Sequence, residues 1–311
     1  MDESEVRWRL EASRGRAPEG AIARRPVVDG PWRRICGMPD LGGLAGPEPR
    51  HQHIVDHGFI RARSGAWQLW ACIRGTAAGR LIYGWEGDSL GAGPWAPRGV
   101  KVRARAECGE IVEPQEKVGA PFFLERDGRY WCLYHSAGVH AMVSDDGVNY
   151  ERVRDDKGSS CLLRDGGRDV MVMRSRGLYF LYLTVTTSSR EDWRTSFVIA
   201  RTTRDFRQWS DPTVVSAGGA AGSGPVNAES PFVVELDGWF YLFRATSIDP
   251  MTFVYRSVSP WDFGVDDDSK LIAVLPIKAP ELVRHDGRWY ITDLADFQGV
   301  RIAPLRWEED A

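Results

Sequence analysis

AESPFVVELDGWFYLFRA, running from Ala228 to Ala245, reads as a single hairpin. A mostly apolar run meets Asp237-Gly238 and returns as the aromatic run Trp239 to Phe243. Asp-Gly is the strongest short-range hairpin signal, because a two-residue type I′ turn needs positive φ at both central residues. Four more stretches repeat the pattern. They are VDHGFIRARSGAWQLWACI from Val55, GAPFFLERDGRYWCLYHS from Gly119, GRDVMVMRSRGLYFLYLT from Gly167 and KAPELVRHDGRWYITDLA from Lys278. Each turn glycine (Gly65, Gly128, Gly177, Gly238, Gly287) is followed two residues on by Trp, Tyr or Phe. The glycines stand about 50 to 60 residues apart, which leaves room for four strands per repeat.

Outer strands follow the hairpins. GRLIYGWEGDSL from Gly79, VSDDGVNYERV from Val143, ARTTRDFRQWSDP from Ala200 and VYRSVSPWDFG from Val254 play that part. A period of 3.6 residues finds no amphipathic helix longer than about two turns. Five copies of one hairpin predict an all-β chain folded as a five-bladed β-propeller. Two stacked β-sandwiches would not repeat one hairpin in this way. Residues 1–50 carry many Pro and Gly and are expected to form an irregular arm with a blade-closing strand. Residues 51–311 are expected to form the propeller.

The 311 residues are 43% hydrophobic and 27% charged, the balance of a folded chain. Net charge is −3, which gives no electrostatic case for nucleic acid or an anionic membrane. No apolar run approaches the roughly 18 residues of a membrane span. The opening MDESEVRWRLEASRGRAPEG has no apolar core, so no secretory leader and a cytoplasmic location are the expectation. The five cysteines form no CxxC pair and read as buried thiols. No metal and no cofactor is expected.

In a propeller the first strand of each blade lines the central channel. The residues heading those strands are Asp56, Ala120, Asp169, Glu229 and Ala279. Three of them are acidic. Like charges gathered in one funnel repel and cost stability, so structure alone does not explain them. Glycoside hydrolysis needs such a set, with one carboxyl to protonate the leaving oxygen and one carboxylate as base or nucleophile. The second strands run back towards the same end. They deliver Arg74, His135 and Arg244 there, which with Arg168 are candidates to hold sugar hydroxyls. His51, His53 and His57 crowd around Asp56, but strict alternation would send them to the face opposite it.

These pieces resemble the five-bladed β-propeller glycoside hydrolases, namely family 43 and the family 32 and 68 fructosidases. The resemblance covers about residues 50–307. It implies that Asp56 in HIVDHGFI is the first-blade base or nucleophile. It implies that Asp169 in GGRDVMV orients the acid or holds a hydroxyl, and that Glu229 in NAESPFVV is the Glu-x-Pro general acid. Two departures stand out: His57 and Val170 occupy places where the family has Pro after Asp. The expected function is hydrolysis of a glycosidic bond, in a furanoside or pentoside within an oligo- or polysaccharide. Inversion is expected, because the Asp-Pro-Asn-Gly context of the retaining fructosidases is missing around Asp56. The alternatives are a non-catalytic carbohydrate-binding propeller and a glycoside phosphorylase.

Overall fold

The computed structural model describes residues 3–164, 167–188, 194–247 and 249–310. The chain begins with α1 (Glu3–Ser13), followed by β1 (Arg24–Val28) and β2 (Arg33–Gly37). Blade one is β3 (His53–Arg61), β4 (Trp67–Thr76), β5 (Gly79–Gly87) and β6 (Ala96–Val102). Blade two is β7 (Gly119–Arg126), β8 (Arg129–His135) and β9 (Val139–Ser144), with the short β10 (Glu151–Arg152) and β11 (Cys161–Leu163). Blade three is β12 (Arg168–Ser175), β13 (Leu178–Ser188), β14 (Arg194–Thr203) and β15 (Thr213–Ala217). Blade four is β16 (Glu229–Leu236), β17 (Trp239–Ala245), β18 (Thr252–Ser257) and β19 (Leu271–Leu275). Blade five is β20 (Leu282–His285), β21 (Arg288–Asp293) and β22 (Gly299–Glu309), with β1 and β2 both pairing to β22. The fold is a five-bladed β-propeller.

Turn chemistry places the hairpins where the sequence reading expects them. Arg126 pairs with Arg129, Leu236 with Trp239 and His285 with Arg288, which leaves two-residue loops. Asp127-Gly128, Asp237-Gly238 and Asp286-Gly287 all have positive φ, as a type I′ turn requires. The third strands end in a second local device. Asp146 accepts hydrogen bonds from the backbone N–H groups of Val148 and Asn149, and Asp205 from those of Arg207 and Gln208. Those contacts hold the Asp146 carboxyl far below the usual carboxylate range. SDDGVNY is thus a self-satisfied Asx turn.

Two compact units divide the chain. In the unit of Met1–Asp29, Met171–Pro280 and Leu305–Ala311, residues expected to be irregular form α1. Trp8 of that helix is buried against Phe180, Phe240 and Trp261, with ring centroids 5.4, 6.3 and 4.7 Å away. The Arg176 guanidinium covers the Trp8 ring at 4.7 Å. The buried stripe of α1 is only Glu5, Trp8 and Ala12, while Val6 and Leu10 are exposed. A stripe containing a glutamate, with its aliphatic residues turned outward, escapes a test based on apolar periodicity.

In the unit of Gly30–Val170 and Glu281–Pro304, one buried cluster joins blades one and two. Trp70, Phe123, Tyr134, Ile82 and Met142 are among its members. Beside it lies a buried ion pair. Arg152 donates to Glu110 through Nε (2.6 Å) and Nη2 (2.9 Å), and Tyr134 Oη donates to the same carboxylate. Burial would push the Glu110 carboxyl up, but its bonds from Arg152 and Tyr134 win and hold it below the usual range.

Candidate functional site

One backbone feature recurs at the head of every blade. Asp56, Ala120, Asp169, Ser230 and Ala279 have φ of 45°, 48°, 55°, 46° and 47°. A non-glycine residue in the left-handed region is uncommon, and in blades one, two and four it coincides with a bulge. In blade one Val55 pairs with Cys72 and His57 with Ala71, so Asp56 is the extra residue. The ladders of blades two and four shift at the same place, between Gly119 and Phe122 and between Glu229 and Phe232. The bulge positions take Asp, Ala or Ser, small or short polar side chains that bear this conformation best. They correct the alignment of heads read from sequence. Ser230, not Glu229, is the counterpart of Asp56 and Asp169. Glu229 stands one residue earlier, level with Arg168 and Lys278.

The bulge also overturns the alternation expected around Asp56. His57 is buried, and its Nε2 lies 2.8 Å from Thr292 Oγ1 on β21. Thr292 Oγ1 in turn accepts the Glu281 backbone N–H at 2.8 Å. Burial drives the His57 imidazole down to about 3, so it stays neutral. His53 instead accepts a hydrogen bond from Arg74 Nε on Nδ1 at 3.2 Å. Phe297 lies against both, 5.8 Å from the His53 ring and 5.9 Å from the Arg74 guanidinium. Ala295, Asp296 and Phe297 are three successive left-handed residues, a strained turn that carries this aromatic ring to the end of blade one. Among the described residues no group of three His, Cys, Asp or Glu is placed to hold a metal ion.

Asp56 and Asp169 belong to the same unit and share a neighbour. The buried Cys72 thiol is pushed up to about 12, chiefly by burial, with both carboxylates adding to the rise and Arg80 and Arg74 opposing it. Arg168 Nε lies 3.7 Å from Asp169, and Asp169 is buried. A further carboxyl joins them. Glu281 is pushed well above the usual range, first by desolvation and then by the charge on Asp56. Nothing in KAPELVRH singles Glu281 out. The clue lies in blade one, where the position two beyond the bulge is Gly58. A Cβ on Gly58 would stand 2.5 Å from Pro121 O on the neighbouring first strand. The same position in blade five is Glu281.

Glu229 lies in the other unit with partners of its own. Lys278 Nζ donates to Glu229 Oε2 at 3.0 Å and to Thr246 O at 2.9 Å, and Ser247 Oγ also donates to Oε2. The Lys278 side chain is 7% exposed and that of Glu229 19%. Lys278 was missed because a lone Lys before Ala-Pro carries no motif.

Arg244 needs correcting as a sugar ligand. It is fully buried, and its guanidinium donates to Asn227 O (2.9 Å), Ser216 Oγ (2.9 Å), Gly218 O (2.7 Å) and Gly222 O (2.9 Å). It fastens the GGAAGSGP loop to blade four, and at 0% exposure it is out of a substrate's reach. Arg74, its apparent counterpart, is exposed. His135 is partly buried at the end of β8, with Nδ1 unpartnered. Gly166 of the GGRDVMV motif lies outside the described residues.

Three neutral imidazoles predict acid sensitivity. Burial lowers His57 to about 3, and His135 and His140 each to about 4. Below about pH 6.5 the unfolded chain protonates all three while the folded chain does not, so stability falls as pH falls. Glu281 works the other way, because its folded carboxyl holds a proton that the unfolded chain releases above about pH 4.5. Three imidazoles outweigh one carboxyl, so the balance is a loss of stability between pH 7 and pH 5. The urea midpoint should drop steeply over that window, and a flat midpoint would contradict this.

No protein-family model matches the chain, and no curated protein matches it. Solved structures do. A thermostable family-43 glycoside hydrolase superposes with a TM-score of 0.61 at 14% identity, covering 85% of this chain and 91% of that one. A β-xylosidase/α-arabinofuranosidase from a compost microbial metagenome, in complex with xylotriose, gives 0.59 at 12% identity, covering 85% and 94%. An exo-1,5-α-L-arabinanase from a bovine ruminal metagenomic library gives 0.56 at 16% identity, covering 81% and 92%. At these identities the likeness is one of fold.

Proposed function

We propose that this chain is a glycoside hydrolase acting on a pentose-linked saccharide. One observation carries the reading. Blades one and three place aspartates at the positive-φ position that heads the first strand, and blade four places Glu229 immediately before that position. The neighbours in fold include enzymes named for xylosides and arabinans, which supports a pentose. Fold alone does not assign chemistry, so the argument rests on the carboxyl groups.

Glu229 is the general acid in this proposal. Its Oε2 accepts from Lys278 and Ser247, which hold the carboxyl in place while it delivers its proton. That proton passes to the glycosidic oxygen as the bond to the anomeric carbon breaks. Asp56 removes a proton from a water, and the water oxygen forms the new bond to that carbon from the opposite face. Asp169, beside Arg168, holds a sugar hydroxyl. Burial and the charge on Asp56 both favour the uncharged form of Glu281, which limits the negative charge gathered there.

Inversion is the expected outcome. Inverting enzymes hold their two carboxyl groups about 6.5–9.5 Å apart to admit a water, and retaining ones about 5–5.5 Å. Proton NMR of the first-formed sugar reads the configuration before its anomers interconvert. Product with the opposite anomeric configuration is expected. Product with the substrate's own configuration would make Asp56 a nucleophile.

A further inference from the structure

The third strands of blades two and three end in the same device. Ser144 to Tyr150 and Thr203 to Trp209 each wind around an aspartate, Asp146 or Asp205, and close on an aromatic ring. A cavity lies beside each turn. In blade three it measures about 330 Å³, and Glu5 of α1 lines it and accepts the Thr202 hydroxyl at 2.9 Å. In blade two it measures about 550 Å³ and is lined by residues of blades one and two, with no counterpart of Glu5 among the described residues. It sits at the turn end of these blades. The Arg63 N–H, in the blade-one turn, donates to Asp146 O at 2.9 Å, whereas Asp56 stands towards the other end of β3.

Trp70 and Tyr150 form one wall of the larger cavity, with ring centroids 5.0 Å apart. Trp70 Nε1 and Tyr150 Oη are both buried, and neither finds a hydrogen-bond partner among the described residues. A buried donor left without an acceptor is costly, and two on one wall call for an explanation. The Lys101 ammonium lies 5.8 Å from the centre of the Trp70 ring. Its stem crosses Gly84 so closely that a Cβ there would stand 2.5 Å from Lys101 Cε.

The charges around the opening balance. Arg129 Nε donates to Asp145 at 2.7 Å, and Asp146 is spent on its own turn. That leaves Lys101 as a donor and the exposed Glu151 as an acceptor. A ligand suited to this wall and rim accepts and donates hydrogen bonds at once and carries no net charge. Hydroxyl groups set around a ring do both. The volume is that of a small-molecule site.

We propose that this cavity is a second saccharide site, in which a neutral sugar unit accepts from the Lys101 ammonium and the Tyr150 hydroxyl and donates to Glu151. Lys101 turns from the Trp70 ring to the sugar and uncovers the buried donors behind it. The inference rests on the proposal that the chain acts on a saccharide, and it adds a holding point for a polymer away from the carboxyl groups.

Affinity electrophoresis in native gels containing soluble arabinoxylan or linear arabinan measures polymer binding, with mobility in a polymer-free gel as the reference. Lys101→Met keeps the stem and removes the ammonium. Tyr150→Phe keeps the ring and removes the hydroxyl. Each is expected to weaken polymer binding by about three-fold or more, the scale of one lost hydrogen bond. Each should hydrolyse a dinitrophenyl pentoside as fast as the wild type, because neither residue belongs to the proposed acid–base machinery. Tyr150→Phe removes a hydroxyl that has no partner, so its urea midpoint should not fall. A fall would mean that the hydroxyl already serves the fold, and would sink the inference. So would variants that bind polymer as tightly as the wild type. A wild type that hydrolyses the pentoside yet binds neither polymer would overturn the second site and leave the proposed reaction standing. Polymer binding that depends on Lys101 and Tyr150, without hydrolysis, would do the reverse.

Discussion

Glu229→Gln is expected to lower turnover of an aryl pentoside with a poor leaving group by about 10²-fold or more. Glutamine keeps an oxygen for Lys278 and Ser247, so the local hydrogen bonds survive and only the proton is lost. The loss should shrink for a dinitrophenyl pentoside, whose leaving group departs without protonation. Sugar binding should persist. An equal loss on good and poor leaving groups would assign Glu229 a structural task and remove it from the acid role. Lys278→Met serves as a control, because it takes away the ammonium that fixes Oε2 without touching the carboxyl.

Arg152→Met should destabilise the fold by about 3–5 kcal/mol. It strands the Glu110 carboxylate, whose side chain has no exposed surface, beside Tyr134. The Arg152 contact to Arg103 O at 2.7 Å is lost as well. The double variant Glu110→Gln/Arg152→Met should recover part of the loss, since the uncompensated buried charge is then gone. Urea unfolding of the two variants measures the difference. A single variant as stable as the wild type would mean that water reaches Glu110.

The fold was legible because its defining signals are local. An Asp-Gly pair between an apolar and an aromatic run sets both turn and register, and Asp127-Gly128, Asp237-Gly238 and Asp286-Gly287 adopt the φ values this requires. The bulge at each head was not legible. Ala120, Ser230 and Ala279 share no residue type with Asp56, and only the backbone shows them to be equivalent. That is why Glu229 was aligned one position off. Arg74 and Arg244 look alike in sequence, each an arginine closing an apolar strand. The loop after Ala217 folds over one of them and leaves the other open, and no window around either residue predicts that. Glu281 and Lys278 escaped for the same reason. Their significance lies in neighbours from other strands, which spacing along the chain does not reveal.

Turnover of dinitrophenyl β-D-xyloside and α-L-arabinofuranoside by the wild type and by Asp56→Asn tests the proposed reaction most directly. The wild type is expected to release dinitrophenol from at least one of them, and Asp56→Asn to be slower by about 10²-fold or more while still binding the sugar. A folded wild type that binds pentose but cleaves neither glycoside, or an Asp56→Asn variant as fast as the wild type, would contradict it.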